Sequence, residues 1–225
     1  GPWISALQEK ADTNAESLEP LLHSDESPIR TYRLLNEVQN VFPRETVYSV
    51  DGQTTLASGR QVLPSHTPAS RLNAGSNGCI GVGVPFAVGA KLARPDVPVV
   101  SVSGDCAFGF NAMELETAVR HNLPIVFIVN NNSGIVGGNL ESRMGLPEGY
   151  DERVAQYTPD IRYDKFVEAF GGHAENVTDP NEIRPALERA YAATQEGRVA
   201  CVNIISESME QVVTRSNRAS ELMGY

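Results

Sequence analysis

The sequence predicts an α/β domain of the doubly wound kind, a mainly parallel sheet with helices on both faces. Three observations carry this. An apolar run, Val99 to Ser103, ends in Gly104-Asp105. A second run, Ile125 to Val129, is followed by an asparagine pair, Asn131-Asn132. Between the two lies a stretch with helical period, so they read as strands whose polar ends meet at one edge of a parallel sheet. Ligands of open α/β sheets bind at that carboxyl edge.

The remaining elements follow in order. Gly1-Pro2 has the character of a tag remnant and is left out of the fold reasoning. Residues 3–26 are polar and irregular after Trp3 and Ile4, and are expected to form a linker or an arm. Ser27-Pro28 reads as an N-cap and first helical position. The helix runs to about Val41, with Ile29, Leu34, Leu35, Val38 and Val41 as its apolar face. Thr46 to Val50 is a strand, ending in the polar turn Asp51-Gly52-Gln53-Thr54-Thr55. Gly75 to Arg94 is a glycine- and alanine-rich helix with an irregular entrance. Its glycines, Gly81, Gly83 and Gly89, cost helix stability unless the helix lies very close to the sheet or to a ligand. Asn111 with Glu114 resembles a capping box. Residues 133–160 form a long loop of the functional kind. A short helix, Tyr163 to Phe170, stops at Gly171-Gly172. Asp179-Pro180 caps a helix through Thr194, and Val199 to Ile205 is the last strand. The expected organisation is an arm over 1–26, a domain over 27–206 and a tail over 207–225.

The chain has 225 residues, 41% of them hydrophobic and 20% charged, enough for one α/β domain with a sizeable core. A net charge of −10 argues against nucleic acid or an anionic membrane surface as partner. No apolar run approaches a membrane span, and no signal peptide opens the chain. Cys79, Cys106 and Cys201 are widely spaced and odd in number, the pattern of reduced thiols in a cytoplasmic protein. The four histidines show no metal-ligand spacing. Asp105 offers a carboxylate oxygen and Asn132 an amide oxygen, a donor set that suits Mg²⁺ or Ca²⁺ with phosphate oxygens completing the shell.

Gly104-Asp105-Cys106 followed by Asn131-Asn132 resembles the diphosphate-binding motif of thiamine diphosphate enzymes, with Cys106 standing where a glycine is usual. The likeness covers roughly residues 28–206, matching the family's C-terminal, diphosphate-binding domain. It implies thiamine diphosphate and Mg²⁺ as cofactors, with Asp105, Asn132 and the Gly134 carbonyl as metal ligands. It implies phosphate contacts from the backbone around Gly104, Cys106 and Ala107, and cofactor contacts from Gly52, Gln53, Thr54 and Ile135. Gly78-Cys79-Ile80-Gly81 is similar to the segment that carries the bulky residue under the cofactor. Ile80 is then expected to force the bent shape that lets the cofactor deprotonate its own carbon. The Gly78 carbonyl is expected to hold the cofactor's amino group.

The family's activating glutamate comes from a pyrimidine-binding domain, usually on a neighbouring subunit, and no such region precedes this one. The chain is therefore expected to be a fragment or a separate subunit, inactive alone and working in a homo- or hetero-oligomer. Phe108-Gly109-Phe110, Met113 to Thr117, Asn122-Leu123-Pro124, Arg162-Tyr163-Asp164 and Glu168 to Gly172 are most similar to 2-hydroxyacyl-CoA lyases and oxalyl-CoA decarboxylases. Acetolactate-synthase relatives share Glu114 to Ala118 and Asn122 to Pro124. Val136, where oxalyl-CoA enzymes usually carry Tyr, implies a pocket for an alkyl-bearing acyl-CoA substrate. The expected reaction is cleavage of a 2-hydroxyacyl-CoA to formyl-CoA and an aldehyde or ketone. The alternatives are an oxalyl-CoA decarboxylase, an acetolactate-synthase-type enzyme, or a non-catalytic cofactor-binding subunit. The tail, with Arg215, Asn217 and Arg218, is expected to act as a lid.

Overall fold

A computed structural model describes residues 1–135, 149, 151, 153 and 155–208. A six-stranded sheet in the order β2-β1-β3-β4-β6-β5 forms its centre, with every neighbouring pair parallel. The strands are β1 (Val47–Asp51), β2 (Arg71–Leu72), β3 (Val99–Gly104), β4 (Val126–Asn131), β5 (His173–Val177) and β6 (Ala200–Ile205). The helices are α1 (Pro2–Leu22), α2 (Thr31–Val41), α3 (Gln53–Val62), α4 (Gly83–Ala93), α5 (Asp105–Phe110), α6 (Glu114–Arg120), α7 (Asp164–Ala169) and α8 (Ile183–Gln195). Among the described residues no helix is long and apolar enough to cross a membrane.

Side chains alternate across a strand, and the central strands here feed two cores. Val126 and Ile128 of β4 join Val100, Val102, Val202 and Ile204 beneath α2 and α8. Phe127 and Val129, one residue out of phase, join Val99 and Cys201 beneath α4, α6 and α7. Both faces are covered, so the central strands are apolar almost throughout, as parallel sheets require. After β1 the chain crosses through α3 on the first face to reach β2; after β3 it crosses through α5 and α6 on the second face to reach β4. These crossovers leave in opposite directions. The carboxyl ends of β1 and β3 therefore bound a topological switch point, where a crevice opens.

Several elements differ from the sequence expectation. Residues expected to be irregular form α1, a helix polar nearly all round, with only Leu18 buried and Trp3, Ile4 and Leu7 exposed. Such a helix has no apolar stripe for periodicity to find. The helix expected from Ser27-Pro28 begins at Thr31. Ser27–Pro28 is a cis peptide bond, and extended Ile29 instead bridges to Ser206 and accepts the Glu207 N–H at 2.9 Å. The expected turn at residues 51–55 shrinks to the single residue Gly52, because β1 runs to Asp51 and α3 starts at Gln53. That helix buries Thr55, Ser58 and Gly59, small residues that leave no hydrophobic signature. Asn111 does not cap α6: its side chain is committed to the Gly81 carbonyl at 2.7 Å. Strands β2 and β5 were not expected; both are edge strands of mostly half-buried residues, Val177 alone being fully buried. Val136 and the tail residues Arg215, Asn217 and Arg218 lie outside the described residues, as does most of the long loop.

Candidate functional site

The site begins with the turn after β1. Gly52 has φ +91°, and a Cβ there would stand 3.1 Å from the Gly104 nitrogen. Only a glycine with its left-handed freedom lets the ends of β1 and β3 come this close. Between and beside these ends lies a cavity of about 100 Å³. Its walls include Gly52, Gln53 and Thr54 from the start of α3, and Gly104, Asp105, Cys106 and Ala107 from the β3–α5 junction. Ile80, Asn132, Gly134 and Ile135 complete the set that the sequence singled out. Gly78 lies outside this lining; it is exposed and ends a short 3₁₀ turn with φ +61°. Drug-sized ligands occupy pockets of roughly 300–1,000 Å³, so this one has room for a small polar group rather than a whole organic cofactor. A larger cavity of about 670 Å³ adjoins it and shares Asp105 and Cys106.

Asp105 is 2% exposed and opens α5. Its two oxygens accept the N–H groups of Cys106 (2.7 Å) and Gly134 (2.9 Å). Burial pushes its carboxyl up to about 6, against the opposing pull of N–H donors from Cys106, Gly134 and Ser133. No Lys, Arg or His pairs with it among the described residues. A cation beside so desolvated a carboxylate would favour its charged form. No cluster of three or more His, Cys, Asp or Glu capable of holding a metal occurs among the described residues. A cation here would therefore meet oxygens of mixed origin: the Asp105 carboxylate, the Asn132 amide and backbone carbonyls. That set suits a hard ion such as Mg²⁺, and the residues fit the group.

Three consecutive asparagines at the end of β4 serve two layers, because successive side chains point to opposite faces. Asn130 donates to Thr55 Oγ1 at 3.0 Å and Thr31 Oγ1 at 3.1 Å, and lines the cavity. Asn131 turns the other way, to the Ile161 carbonyl at 2.9 Å. Asn132, half-buried, returns to the cavity wall. Sequence reasoning paired Asn131 with Asn132 and overlooked Asn130 and Thr55, although strand alternation already separates Asn131 from its neighbours. It also named Asp51 only as part of a turn. Asp51 is 4% exposed and ends β1, and its position at the same edge as Asp105 was a usable signal.

Fold and site together define a class: a parallel, doubly wound α/β domain with a polar ligand pocket at its switch point. Residues 51–204 match the family described as thiamine pyrophosphate enzyme, C-terminal TPP binding domain, and the chain belongs to that family. It is 38% identical over 211 residues to a 2-hydroxyacyl-CoA lyase of Oryza sativa subsp. japonica, covering 91% of this chain and 36% of that protein. Over 218 residues it is also 38% identical to an acetolactate synthase large subunit of Mycobacterium tuberculosis, covering 96% of this chain and 39% of that protein. An oxalyl-CoA decarboxylase of Escherichia coli (strain K12) is 33% identical over 207 residues, covering 90% of this chain and 35% of that protein. The chain thus spans well under half the length of the curated relatives it matches.

Proposed function

We propose that this chain supplies the diphosphate- and Mg²⁺-holding half of a thiamine-diphosphate-dependent carbon–carbon lyase. Its substrate would be a 2-hydroxyacyl-CoA, cleaved to formyl-CoA and an aldehyde or ketone in a cytoplasmic setting. The observation that carries the cofactor reading is the single cavity that gathers Gly52–Thr54, Ile80, Gly104–Ala107, Asn132, Gly134 and Ile135 at the switch point. When bound, the cofactor supplies a nucleophilic carbon and an electron sink. The chain's own residues do the rest by positioning. Asp105, the Asn132 amide and the Gly134 carbonyl would hold the cation. Backbone at Gly104 and Ala107, which line the cavity, would meet the phosphates; the Cys106 N–H is already engaged by Asp105 at 2.7 Å. Ile80, 42% exposed at the cavity wall, is an apolar side chain left uncovered where the organic part of the cofactor would rest.

The activating glutamate is proposed to come from a pyrimidine-binding domain or subunit, which makes the working form an oligomer. The lyase reading draws on the likeness to the rice enzyme and on the Phe108-Gly109-Phe110 and Met113–Thr117 stretches. The equal identity to the Mycobacterium acetolactate synthase favours, as second reading, a synthase acting on 2-oxo acids. Product analysis separates them. The chain is combined with a pyrimidine-domain partner, thiamine diphosphate and Mg²⁺, and offered a branched 2-hydroxyacyl-CoA, oxalyl-CoA or pyruvate. Formyl-CoA with the matching carbonyl product supports the lyase. Carbon dioxide from pyruvate or oxalyl-CoA, with no cleavage of the hydroxyacyl-CoA, overturns it.

A further inference from the structure

The stretch that carries Ile80 is neither helix nor strand, yet it is gripped from two sides. Asp51 Oδ2 accepts the N–H of Gly81 at 2.9 Å and the N–H of Gly83 at 2.8 Å, while Oδ1 accepts the N–H of Gly52 at 2.7 Å. Asn111, in the turn between α5 and α6, donates its amide to the Gly81 carbonyl at 2.7 Å. A peptide unit is planar. The first contact therefore fixes the peptide that joins Ile80 to Gly81, and the last fixes the peptide that follows. Gly81 has φ +94°, and a Cβ there would lie 2.8 Å from Phe110 Cβ. The backbone beside Ile80 is thus held from both sides, by an acid from the β1 edge and an amide from the far side of α5.

We infer that Asp51 and Asn111 are positioning residues for Ile80. Neither lines the cavity that would hold the cation and the phosphates; they fix where the apolar wall of the cofactor pocket stands. This rests on the cofactor site proposed above. It assigns a role to two residues on different elements, and it explains why an exposed asparagine makes its contact with the backbone rather than with water.

The test separates the two halves of the site. Magnesium pyrophosphate probes the diphosphate grip alone, and magnesium thiamine diphosphate probes the grip and the Ile80 wall together. Calorimetry on the chain is expected to show both ligands binding. Asn111→Ala should weaken thiamine diphosphate about fivefold to tenfold, the loss of one hydrogen bond, and leave pyrophosphate unchanged. Asn111→Asp, which turns an oxygen toward the Gly81 carbonyl, should behave like Asn111→Ala. Amide hydrogen exchange gives a second, ligand-free readout: Gly81 and Gly83 should exchange faster in Asp51→Asn. Equal weakening of both ligands, or no change in either, overturns the positioning role. A wild-type chain that binds neither ligand overturns the cofactor site itself, a different failure with a different signature.

Discussion

Asp105 Oδ2 accepts the backbone N–H of Gly134 at 2.9 Å, which ties the carboxyl edge of β3 to the loop beyond β4. The two motif segments are therefore already joined, and the carboxylate that would meet a cation is aimed by backbone rather than by another side chain.

Asp105→Ala should abolish Mg²⁺-dependent binding of thiamine diphosphate, weakening it by at least about 100-fold, beyond the range typical of lost supporting contacts. Asp105→Asn keeps the shape and an acceptor oxygen but removes the charge, and should fall between wild type and Ala. Calorimetry with and without Mg²⁺ measures both. Binding that survives in Asp105→Ala shows that the cation is held elsewhere.

Two glycines of α4 should respond to alanine with opposite signs. A Cβ at Gly83 would sit 2.4 Å from Ser103 Oγ and 2.8 Å from Asp51 Cβ. Gly83→Ala should therefore destabilise by about 1–3 kcal/mol through overpacking. At Gly89 nothing lies within 4 Å of the added carbon, and the position is helical, so Gly89→Ala should stabilise by roughly 0.5–1 kcal/mol. Denaturant midpoints of the two variants test the pair.

The edge strand β5 gives a pH dependence. Burial disfavours ionised Glu175, but the hydrogen bonds from Arg189 (2.6 and 2.8 Å) and His173 outweigh it and hold the carboxyl below its ordinary value. A depressed folded pKa contributes stability above the unfolded value, near 4.3, and that stability is lost as pH falls through the folded value. Wild type should lose more stability than Glu175→Gln between pH 7 and pH 3. The difference should stay below about 1 kcal/mol, because the ion pair is partly solvated. Equal losses in the two proteins sink the assignment.

Thiol reactivity should rank the three cysteines. Cys79 is exposed, Cys106 intermediate and Cys201 buried. Burial pushes the thiols of Cys106 and Cys201 above their ordinary pKa, and the thiolate is the reactive form. A thiol reagent at pH 8 should modify Cys79 first and reach Cys201 only on unfolding. Magnesium thiamine diphosphate should protect Cys106. Cys106 labelling that is indifferent to the cofactor would place the phosphates away from α5.

Much of the central sheet was legible because parallel strands buried on both faces are continuous apolar runs: Val99 to Ser103, Ile125 to Val129 and Val199 to Ile205 each mark a strand to within a residue or two. The place where the candidate site residues gather was legible for a related reason. Function at a carboxyl edge concentrates polar residues where an apolar run stops, and Asp105 and Asn132 stand there. What escaped lacks a periodic apolar signal. Helix α3 buries Thr55, Ser58 and Gly59 and offers only half-buried Leu56 and Val62 to the core, α1 buries Leu18 alone, and β5 buries only Val177 beside Glu175, Asn176 and their partners. Asn111 escaped for another cause. Its spacing to Glu114 mimics a cap, and only the approach of Gly81 from another part of the chain reveals what its amide serves.

The divergence of the chain at β1 and β3 has a consequence for how such a domain ages. The cleft is a by-product of routing: one connection turns left, the other right, and a gap is left where they part. No single polar side chain has to be kept for the hollow to exist, provided Gly52 stays a glycine so that the ends of β1 and β3 can approach. Lineages could thus exchange the side chains around it, gaining or losing an occupant, while the scaffold stays put. Variants stripped of their ligand contacts should remain well-folded proteins with an idle hollow, available for a new tenant.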